Sequence, residues 1–331
     1  MSGAPPTPAA PAPAPRPVPW FTRLRRELRV RALLLFLPLL RRLPLGLQRP
    51  LAAVAGTLAY IFVGRERRLS LVHLALAFPE RDAGFRRRTA RAAFVSLAQS
   101  GLEVAAAARL QPRLADLVHL SATDRALLHD AHAEGKGVLF ASCHLGNWEL
   151  LARRIVLEGY RCGTVAREAQ DPRLTALLEQ AHAEVGLTTL WRGKPGLAKE
   201  LLRLLRSGAF VGMLIDQDTA VQGVFVPFFG RPAHTPRAVG DLAVRTGAPV
   251  LFGCIHREGT RHRVVLRRIE VPATGDRESD ALAVTASATA AIEVEIRARP
   301  DAWVWMHRRW RTRPLPVPDQ LPDPVKRGLE T

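Results

Sequence analysis

Cysteine is scarce in this chain, and this excludes a fold held together by disulfide bonds. The three cysteines, Cys143, Cys162 and Cys254, are odd in number and widely spaced, and they form no CxxC pair. The pattern is not that of a disulfide framework and is typical of a reducing compartment. Because Cys143 stands beside a histidine, a cysteine nucleophile has to be weighed as an alternative chemistry.

Aromatic residues are also few, at 6% of 331 residues, and lysine is nearly absent from a very basic chain. The net charge is +18 and comes almost entirely from arginine. The sequence has no zinc-finger spacing and no RNA-recognition signature, and a base-stacking surface would need more aromatic residues. The composition therefore argues against nucleic acid as a partner. It leaves two polyanions, an anionic lipid surface and an acidic partner protein.

Near the N-terminus the chain lacks an apolar run of the roughly 20 residues that cross a bilayer comfortably. Two shorter runs, residues 32–40 and 51–63, are each followed closely by arginines. We interpret residues 19–64 as an uncleaved, helical membrane-anchoring region that lies in or dips into the interface. A pair of buried core helices is the alternative. A signal peptide is disfavoured because the first run ends in Arg41-Arg42 rather than at a small-residue cleavage site.

The remaining sequence divides into a main domain and two tails. Residues 1–18 are rich in Pro and Ala and almost free of charge, which predicts a disordered tail. Residues 316–331 are predicted to be a flexible C-terminal tail. Residues 65–315 form the predicted main domain.

Within this domain, short apolar runs alternate with amphipathic stretches from Gly137 onward. Strands are predicted at residues 137–142, 161–166, 209–215, 249–256 and 262–271. Helices are predicted at residues 146–159, 172–185, 195–207, 236–246 and 278–298. Residues 66–110 are predicted to be helical, with a break at Phe78-Pro79-Glu80. This alternation indicates an α/β fold with a mostly parallel central sheet flanked by helices, whose site residues gather at the carboxyl ends of strands.

His144 follows the apolar run 138–142, and Glu149 stands five positions later at the start of a predicted helix. An imidazole with a carboxylate partner can take a proton from a hydroxyl group at neutral pH. We therefore predict that His144 is a general base that Glu149 orients. The alternatives are a structural histidine and a glutamate that only complements the helix dipole. The spacing differs from the HExxH motif of zinc enzymes, so neither a metal nor another cofactor is predicted.

Other candidates follow the strands. Arg167 closes a strand and can bind an anion or a developing oxyanion, or form a surface ion pair. Asp216 and Asp218 follow the next strand and can bind a cation, orient a substrate hydroxyl or cap a loop. Residues 223–230, which include Phe228, can line a channel for an apolar chain or pack as an ordinary loop. Thr235 is predicted to cap the helix that follows.

Residues 303–311 combine three tryptophans with arginines, which suits a membrane interface. His307, in the same segment, is interpreted as structural rather than catalytic.

Taken in order, these motifs resemble the bacterial lipid A biosynthesis acyltransferases of the lysophospholipid acyltransferase superfamily. The resemblance runs from about Arg65 to Arg313 and includes Glu103. It rests on the following motifs, in chain order: Phe78-Pro79-Glu80, His144-Leu-Gly-Asn-Trp-Glu149, Arg167, Asp216-Gln217-Asp218, Gly-Val-Phe-Val-Pro-Phe-Phe-Gly, Thr235 and Trp-x-His-Arg-Arg-Trp.

The resemblance implies transfer of a fatty acyl group from a thioester to a lipid hydroxyl at the cytoplasmic face of the inner membrane. The expected donor is acyl carrier protein or acyl-CoA, and the expected acceptor is a lipid A precursor carrying Kdo or a related glycolipid. His144 and Glu149 are then the catalytic pair, and Arg167, Asp216, Asp218, Asn147 and Phe228 are candidate substrate-binding residues. A phosphatidylinositol mannoside acyltransferase or another glycolipid or phospholipid acyltransferase is the nearest alternative. A non-catalytic protein that binds anionic membranes is a more distant one.

Overall fold

The computed structural model of the chain describes residues 20–314. Both predicted tails lie outside this range. The chain divides into two units, one ending at Leu39 and the other beginning at Leu40. In the first unit the described residues belong to one helix, α1 (Trp20–Arg42), which contains Pro38.

The second unit begins with a helical region that covers most of the predicted helical stretch. Its helices are α2 (Leu45–Phe62), α3 (Gly64–Ala77), α4 (Ala83–Ala105), α5 (Ala107–Leu110) and α6 (Leu114–Leu117). The predicted break falls between α3 and α4, because Phe78 precedes a proline and proline disfavours helical geometry in the residue before it. Asp82 then starts α4 by accepting a hydrogen bond from the backbone N–H of Phe85 at 2.7 Å.

Helix α2 packs tightly on α4. Gly56 allows this, since a Cβ at that position would lie 2.5 Å from the Cα of Val95. Among the described residues, no single helix has the length and apolar character of a membrane span. Residues Gly46–Phe62 of α2 and Gly64–Ala77 of α3 reach that length and apolar character only when taken together, and the chain bends by 90° between the two helices.

A seven-stranded sheet forms the centre of the main domain. Its strands are β1 (Val118–His119), β2 (Val138–Ser142), β3 (Cys162–Ala166), β4 (Leu187–Trp191), β5 (Phe210–Leu214), β8 (Val250–Glu258) and β9 (Arg261–Ile269). Their order across the sheet is β1-β9-β8-β2-β5-β3-β4. Strands β8 and β9 are antiparallel, and every other neighbouring pair is parallel. The predicted α/β class and mostly parallel sheet are confirmed.

Helices cover both faces of this sheet. They are α7 (Ala122–Ala133), α8 (Trp148–Leu157), α9 (Pro172–Ala183), α10 (Leu197–Arg206), α11 (Ala238–Thr246) and α12 (Arg277–Ala298). Two clusters of buried apolar side chains result, one centred on Val211, Phe252 and Ile292 and the other on Phe140, Leu151 and Phe210. All five residues of β2 are buried because this strand lies between β5 and β8.

The prediction that residues 223–230 pack as an ordinary loop is wrong. They belong to an antiparallel hairpin of β6 (Gly223–Phe228) and β7 (Arg231–Pro236). Thr235 lies in β7 and does not cap a helix, because α11 begins only at Ala238, after Arg237. The prolines within both strands hid this hairpin, since proline argues against a strand interior in a sequence pattern.

Candidate active site

His144 lies just beyond the carboxyl end of β2, in a sharp turn that leads into α8. The turn depends on Gly146, whose φ is +66°. A Cβ at this position would lie 2.0 Å from the carbonyl oxygen of Ile255, so both the backbone conformation and the close approach require glycine. The backbone N–H of Gly146 donates to the carbonyl of Ala302 at 3.0 Å and ties the turn to the C-terminal segment.

The carboxylate that holds His144 belongs to Asp216, which follows the neighbouring strand β5. Its Oδ1 lies 2.8 Å from Nδ1 of His144, and its Oδ2 accepts from the backbone N–H of the same histidine at 2.7 Å. The indole N–H of Trp303 also donates to Oδ2, at 2.7 Å. Asp216 therefore fixes both the ring and the backbone of His144.

Asp216 is fully buried, yet it remains ionised. Burial raises the pKa of its carboxyl group, but the electrostatic interaction with His144 and the hydrogen bonds from His144 and Trp303 outweigh this effect, and the net shift is downward. An ionised carboxylate only accepts, so Nδ1 of His144 carries the proton that faces it. The other ring nitrogen, Nε2, is left with a lone pair, and the half-buried ring lines a large cavity. This is the arrangement of a general base.

The structure does not show the predicted contact between Glu149 and His144. The Oε2 atom of Glu149 lies 2.8 Å from Nε2 of His182 on α9, and Nδ1 of His182 lies 2.7 Å from the hydroxyl of Thr189 on β4. Glu149 does stand in the first turn of α8, as predicted, but its side chain turns toward α9. In this structure it links α8, α9 and β4, and the orienting contact to His144 comes from Asp216. The catalytic role of Glu149 stays a prediction.

Asn147, predicted to bind substrate, is buried, and its side-chain amide forms hydrogen bonds within the protein. Its Oδ1 accepts from the backbone N–H of Leu150 at 3.3 Å, which caps α8. Its amide donates to Glu103 Oε2 at 2.9 Å. The contacts correct the expectation of substrate binding: Asn147 holds the turn that carries His144.

Glu103 on α4 is the centre of this supporting network, and it had no assigned role in the sequence. Arg257 donates to both of its carboxylate oxygens, to Oε2 at 2.8 Å, and His262 Nε2 lies 3.3 Å from Oε1. Burial opposes ionisation of Glu103, but the hydrogen bonds from His262 and Arg257 outweigh it and lower its pKa to about 2. Its occurrence in the family resemblance was the only signal in the sequence.

Asp218 anchors the C-terminal segment at the edge of the cavity. Its carboxylate accepts from the backbone N–H of Thr312 at 2.6 Å, from the hydroxyl of Thr312 at 2.9 Å and from Arg311 at 3.3 Å. It is buried and lines the cavity. His307 of the same segment also lines the cavity, and burial lowers its pKa, which favours the neutral imidazole.

Phe228 and the tryptophans of the C-terminal segment are core residues. Phe228 is fully buried against Trp303 and Trp310, with the guanidinium of Arg309 4.8 Å from its ring centre. Phe228 is not among the residues that line the cavity. Trp303, Trp305 and Trp310 are all buried, so the predictions of a channel-lining Phe228 and an interfacial tryptophan segment are both wrong. These aromatic side chains fill the core because the β6-β7 hairpin, α12 and the C-terminal segment pack together.

The thiol of Cys143 is completely buried, and burial raises its pKa well above the usual range. A thiol in this state is a poor nucleophile. The geometry therefore disfavours the alternative of a cysteine nucleophile beside His144.

A cavity of about 1060 Å³ opens at His144 and continues between the sheet and helices α8 and α9. At its mouth lie residues that follow the carboxyl ends of strands, including Arg167, Arg192 and Gln217. Its walls continue along the strands to the following residues at their amino ends: Cys162, Leu187 and Phe210. Strands of five residues make this path about 15 Å long.

The wall of the cavity is mainly apolar, with Leu151, Ile155 and Leu178 from the two covering helices. Gly212, in the middle of β5, leaves room in the wall, since the nearest atom to a Cβ there would be the carbonyl oxygen of Gly163 at 3.6 Å. We infer that the cavity can hold an extended apolar chain whose end reaches Nε2 of His144.

A second polar cluster lies in the core. The ligand atoms of Cys254, His256 and Glu295 lie within 4.8 Å of one another. However, Nε2 of His256, which faces Cys254, already lies 2.7 Å from Glu295 Oε2, and Arg267 donates to the other oxygen of Glu295. Both oxygens of the carboxylate thus have protein partners, and we assign this cluster a structural role that joins β8, β9 and α12.

The fold and site fit a class of enzyme in which a histidine, held by a buried carboxylate, lies beside an apolar channel. The particular family follows from comparison of the sequence with known families. The sequence model of the family described as "Bacterial lipid A biosynthesis acyltransferase" matches residues 20–312, so the chain belongs to this family of acyltransferases. The predicted family membership is confirmed.

Curated relatives include the phosphatidylinositol mannoside acyltransferases of two Mycobacterium tuberculosis strains, CDC 1551/Oshkosh and ATCC 25618/H37Rv. Each is 30% identical to this chain over 126 residues, which is 38% of this chain. The aligned region spans 40% of each relative's length.

Asp216→Asn is expected to lower the rate of acyl transfer by roughly 10²- to 10⁴-fold, because an amide can donate to Nδ1 and leave the proton on Nε2. Glu149→Gln is the matched control, since its amide can still bond to His182, and we expect it to lose less than tenfold. Steady-state kinetics of both variants check this. Equal and severe losses would show that Glu149 supports the base during turnover and would contradict the assignment to Asp216.

Glu103→Gln is expected to destabilise the second unit by roughly 3 kcal/mol near pH 7, because it leaves the largely buried guanidinium of Arg257 uncompensated. The folded pKa of Glu103 lies below its ordinary value, so this stabilisation is complete above about pH 4.5 and is lost as the pH falls toward 2. Urea unfolding of wild type and variant between pH 3 and 7 measures the difference. The exposed Glu270→Gln is the control, and a difference that does not shrink in acid would refute the linkage.

Proposed function

We propose that this protein is an O-acyltransferase that moves a fatty acyl group from a thioester to a hydroxyl group of a glycolipid. The observation that carries the proposal is the position of His144. His144 lines an apolar channel, Asp216 holds its Nδ1, and its Nε2 has no hydrogen-bond partner among the described residues. Membership of the acyltransferase family supports the same chemistry.

In the proposed mechanism, Nε2 of His144 removes the proton from the acceptor hydroxyl as its oxygen attacks the thioester carbonyl. A new C–O bond forms, and the tetrahedral intermediate then collapses with cleavage of the C–S bond. The thiolate leaves and receives the proton that His144 took from the acceptor. Asp216 stabilises the imidazolium that forms between these two events. The acyl group passes directly to the acceptor, so no covalent enzyme intermediate is needed.

The channel between the sheet and α8 is the proposed site of the acyl chain. Its apolar walls favour a hydrocarbon chain, and its opening at His144 places the chain's terminal carbonyl near the base. Arg167 and Asp218 remain candidate contacts of the polar part of the substrates, since both line the same cavity as His144.

For the donor we propose acyl carrier protein or acyl-CoA, and for the acceptor a lipid A precursor carrying Kdo. A net charge of +18 suits an acidic carrier protein and an anionic lipid surface alike. Phosphatidylinositol mannoside is the second candidate acceptor, and it is favoured by the names of the M. tuberculosis relatives. The same catalytic arrangement serves either acceptor.

We also propose that the protein works at the cytoplasmic face of the inner membrane and that α2 contacts the lipid. This helix turns small or polar residues, Gln48, Ala52 and Gly56, inward. It exposes a stripe of large apolar side chains, which we call the α2 stripe: Leu51, Val54, Leu58, Ile61 and Phe62. A helix on the surface of a soluble protein usually turns its large apolar residues inward and its polar residues outward, and α2 does the opposite. Exposed apolar patches of this kind mark contacts with membranes or partners.

Mass spectrometry of lipid products tests the proposed reaction. Membranes containing wild type or His144→Ala receive acyl carrier protein charged with acyl chains of several lengths, with either a Kdo-bearing lipid A precursor or phosphatidylinositol mannoside as acceptor. We expect a mass increase of one acyl group with wild type alone, and the acceptor that gains it identifies the substrate. Retention of most of the rate by His144→Ala would exclude this residue as the base. A folded wild type with no product on either acceptor would contradict the proposed substrates.

Replacing Leu58 and Ile61 together with glutamate is expected to release most of the protein from anionic lipid vesicles, because it places two charges in the α2 stripe. Flotation of vesicles with purified protein measures the bound fraction. Glutamates at Leu282 and Val294, two exposed apolar residues of α12, form the control pair. Unchanged flotation of the α2 variant, with a retained thermal transition, would show that another surface binds the membrane.

A further inference from the structure

Two arginines at the mouth of the channel differ from the other arginines that line it. Arg237 is paired with Asp241 and Glu278, and Arg311 is paired with Asp218. The guanidinium groups of Arg167 and Arg192 have no ion pair and no hydrogen bond to any of residues 20–314. The cavity therefore has two cations at its mouth that the described protein does not neutralise.

The strand register brings these two arginines together. Strands β3 and β4 are parallel and pair Ala166 with Trp191, so the arginines that follow leave the same edge of the sheet side by side. The backbone N–H of Arg192 donates to the carbonyl of Ala166 at 2.8 Å and extends the pairing to this position. This is the carboxyl edge of the sheet, where His144 also lies.

An ion pair just beyond the arginines joins the two loops. Lys194 lies 2.8 Å from Glu168, although both side chains are exposed and the pair stabilises the loops only weakly. Together with the backbone hydrogen bond, it keeps Arg167 and Arg192 on neighbouring loops rather than on separate mobile segments.

The proximity of two like charges has an energetic cost. Partial burial and the charge of Arg167 both lower the pKa of Arg192, though a guanidinium remains protonated at neutral pH. A bound anion would remove this repulsion. Guanidinium groups suit phosphate because each presents several N–H donors in a planar fork.

We propose that Arg167 and Arg192 together bind the phosphate group of a phosphate-ester substrate at the mouth of the channel. This inference rests on the proposed function, which supplies two sources of such a group. One is the phosphopantetheine arm that carries the acyl thioester in the donor, and the other is a phosphate on the glycolipid acceptor. Either would be anchored at the sheet edge while its reacting atom reaches His144.

The test compares substrates that differ only in the phosphate. One arm uses acyl-phosphopantetheine and acyl-pantetheine as donors with one acceptor, and the other uses the acceptor with and without its phosphate. The variants are Arg192→Gln, Arg192→Lys, which keeps the charge but loses the fork, and Arg206→Gln. Arg206 is an exposed residue of α10 and serves as the control.

We expect Arg192→Gln to lower kcat/KM about 10- to 100-fold for the phosphorylated member of one pair, with little effect on the member that lacks phosphate. Arg192→Lys should recover part of this loss, and Arg206→Gln should behave as wild type. The arm in which the preference disappears identifies the source of the phosphate. Equal losses on both members of both pairs, or no loss, would overturn the proposal.

Binding of inorganic pyrophosphate provides a readout that needs no turnover. Calorimetry of the full-length protein should show binding to wild type and Arg206→Gln, weakened about 10- to 100-fold in Arg192→Gln. Equal binding to all three proteins, or none to wild type, would refute the arginine site. A wild type that binds pyrophosphate but transfers no acyl group would refute the proposed function and leave the anion site in place.

Discussion

The hydrogen bonds between the buried carboxylate of Asp216 and His144 are the interaction on which the rest of the site depends. A buried charge is tolerated only where several donors meet it, and here the ring and backbone of His144 and the indole of Trp303 supply them. To bring these donors together, the sheet must place β2 beside β5, and the C-terminal segment must fold back across the turn. The tautomer of His144 that carries its proton on Nδ1 is therefore a consequence of the whole α/β packing.

The other acids near the turn, which are partly buried, have separate tasks. Glu103 holds Asn147 and thereby the start of α8, whereas Glu149 joins α8 to His182 on α9. The first contact positions His144, and the second shapes the wall of the channel. Asp216 and Glu103 hold His144 and its turn, and Glu149 holds the wall of the channel. No single carboxylate therefore has to support both.

In the proposed function, the helices that precede the sheet supply the surface through which the enzyme reaches a lipid. Helix α2 packs its small residues against α4 and leaves the α2 stripe outside. The polar mouth of the channel and the arginines beside it suit a substrate with a charged head and an apolar chain. The α2 stripe follows from the size of the residues along α2. The pair of arginines follows from the register of β3 and β4, which places Arg167 beside Arg192.

The sequence by itself determined the α/β class, the position of His144 at a strand end and the glycine in the turn, because these depend on local periodicity and backbone geometry. It also carried the family resemblance. Only the tertiary structure decided which carboxylate meets His144, since Glu149 and Asp216 are both acids near strand ends and their partners lie on other elements. For the same reason Phe228 and the tryptophans could be recognised as core residues only in the folded chain, where hairpin, α12 and C-terminal segment meet.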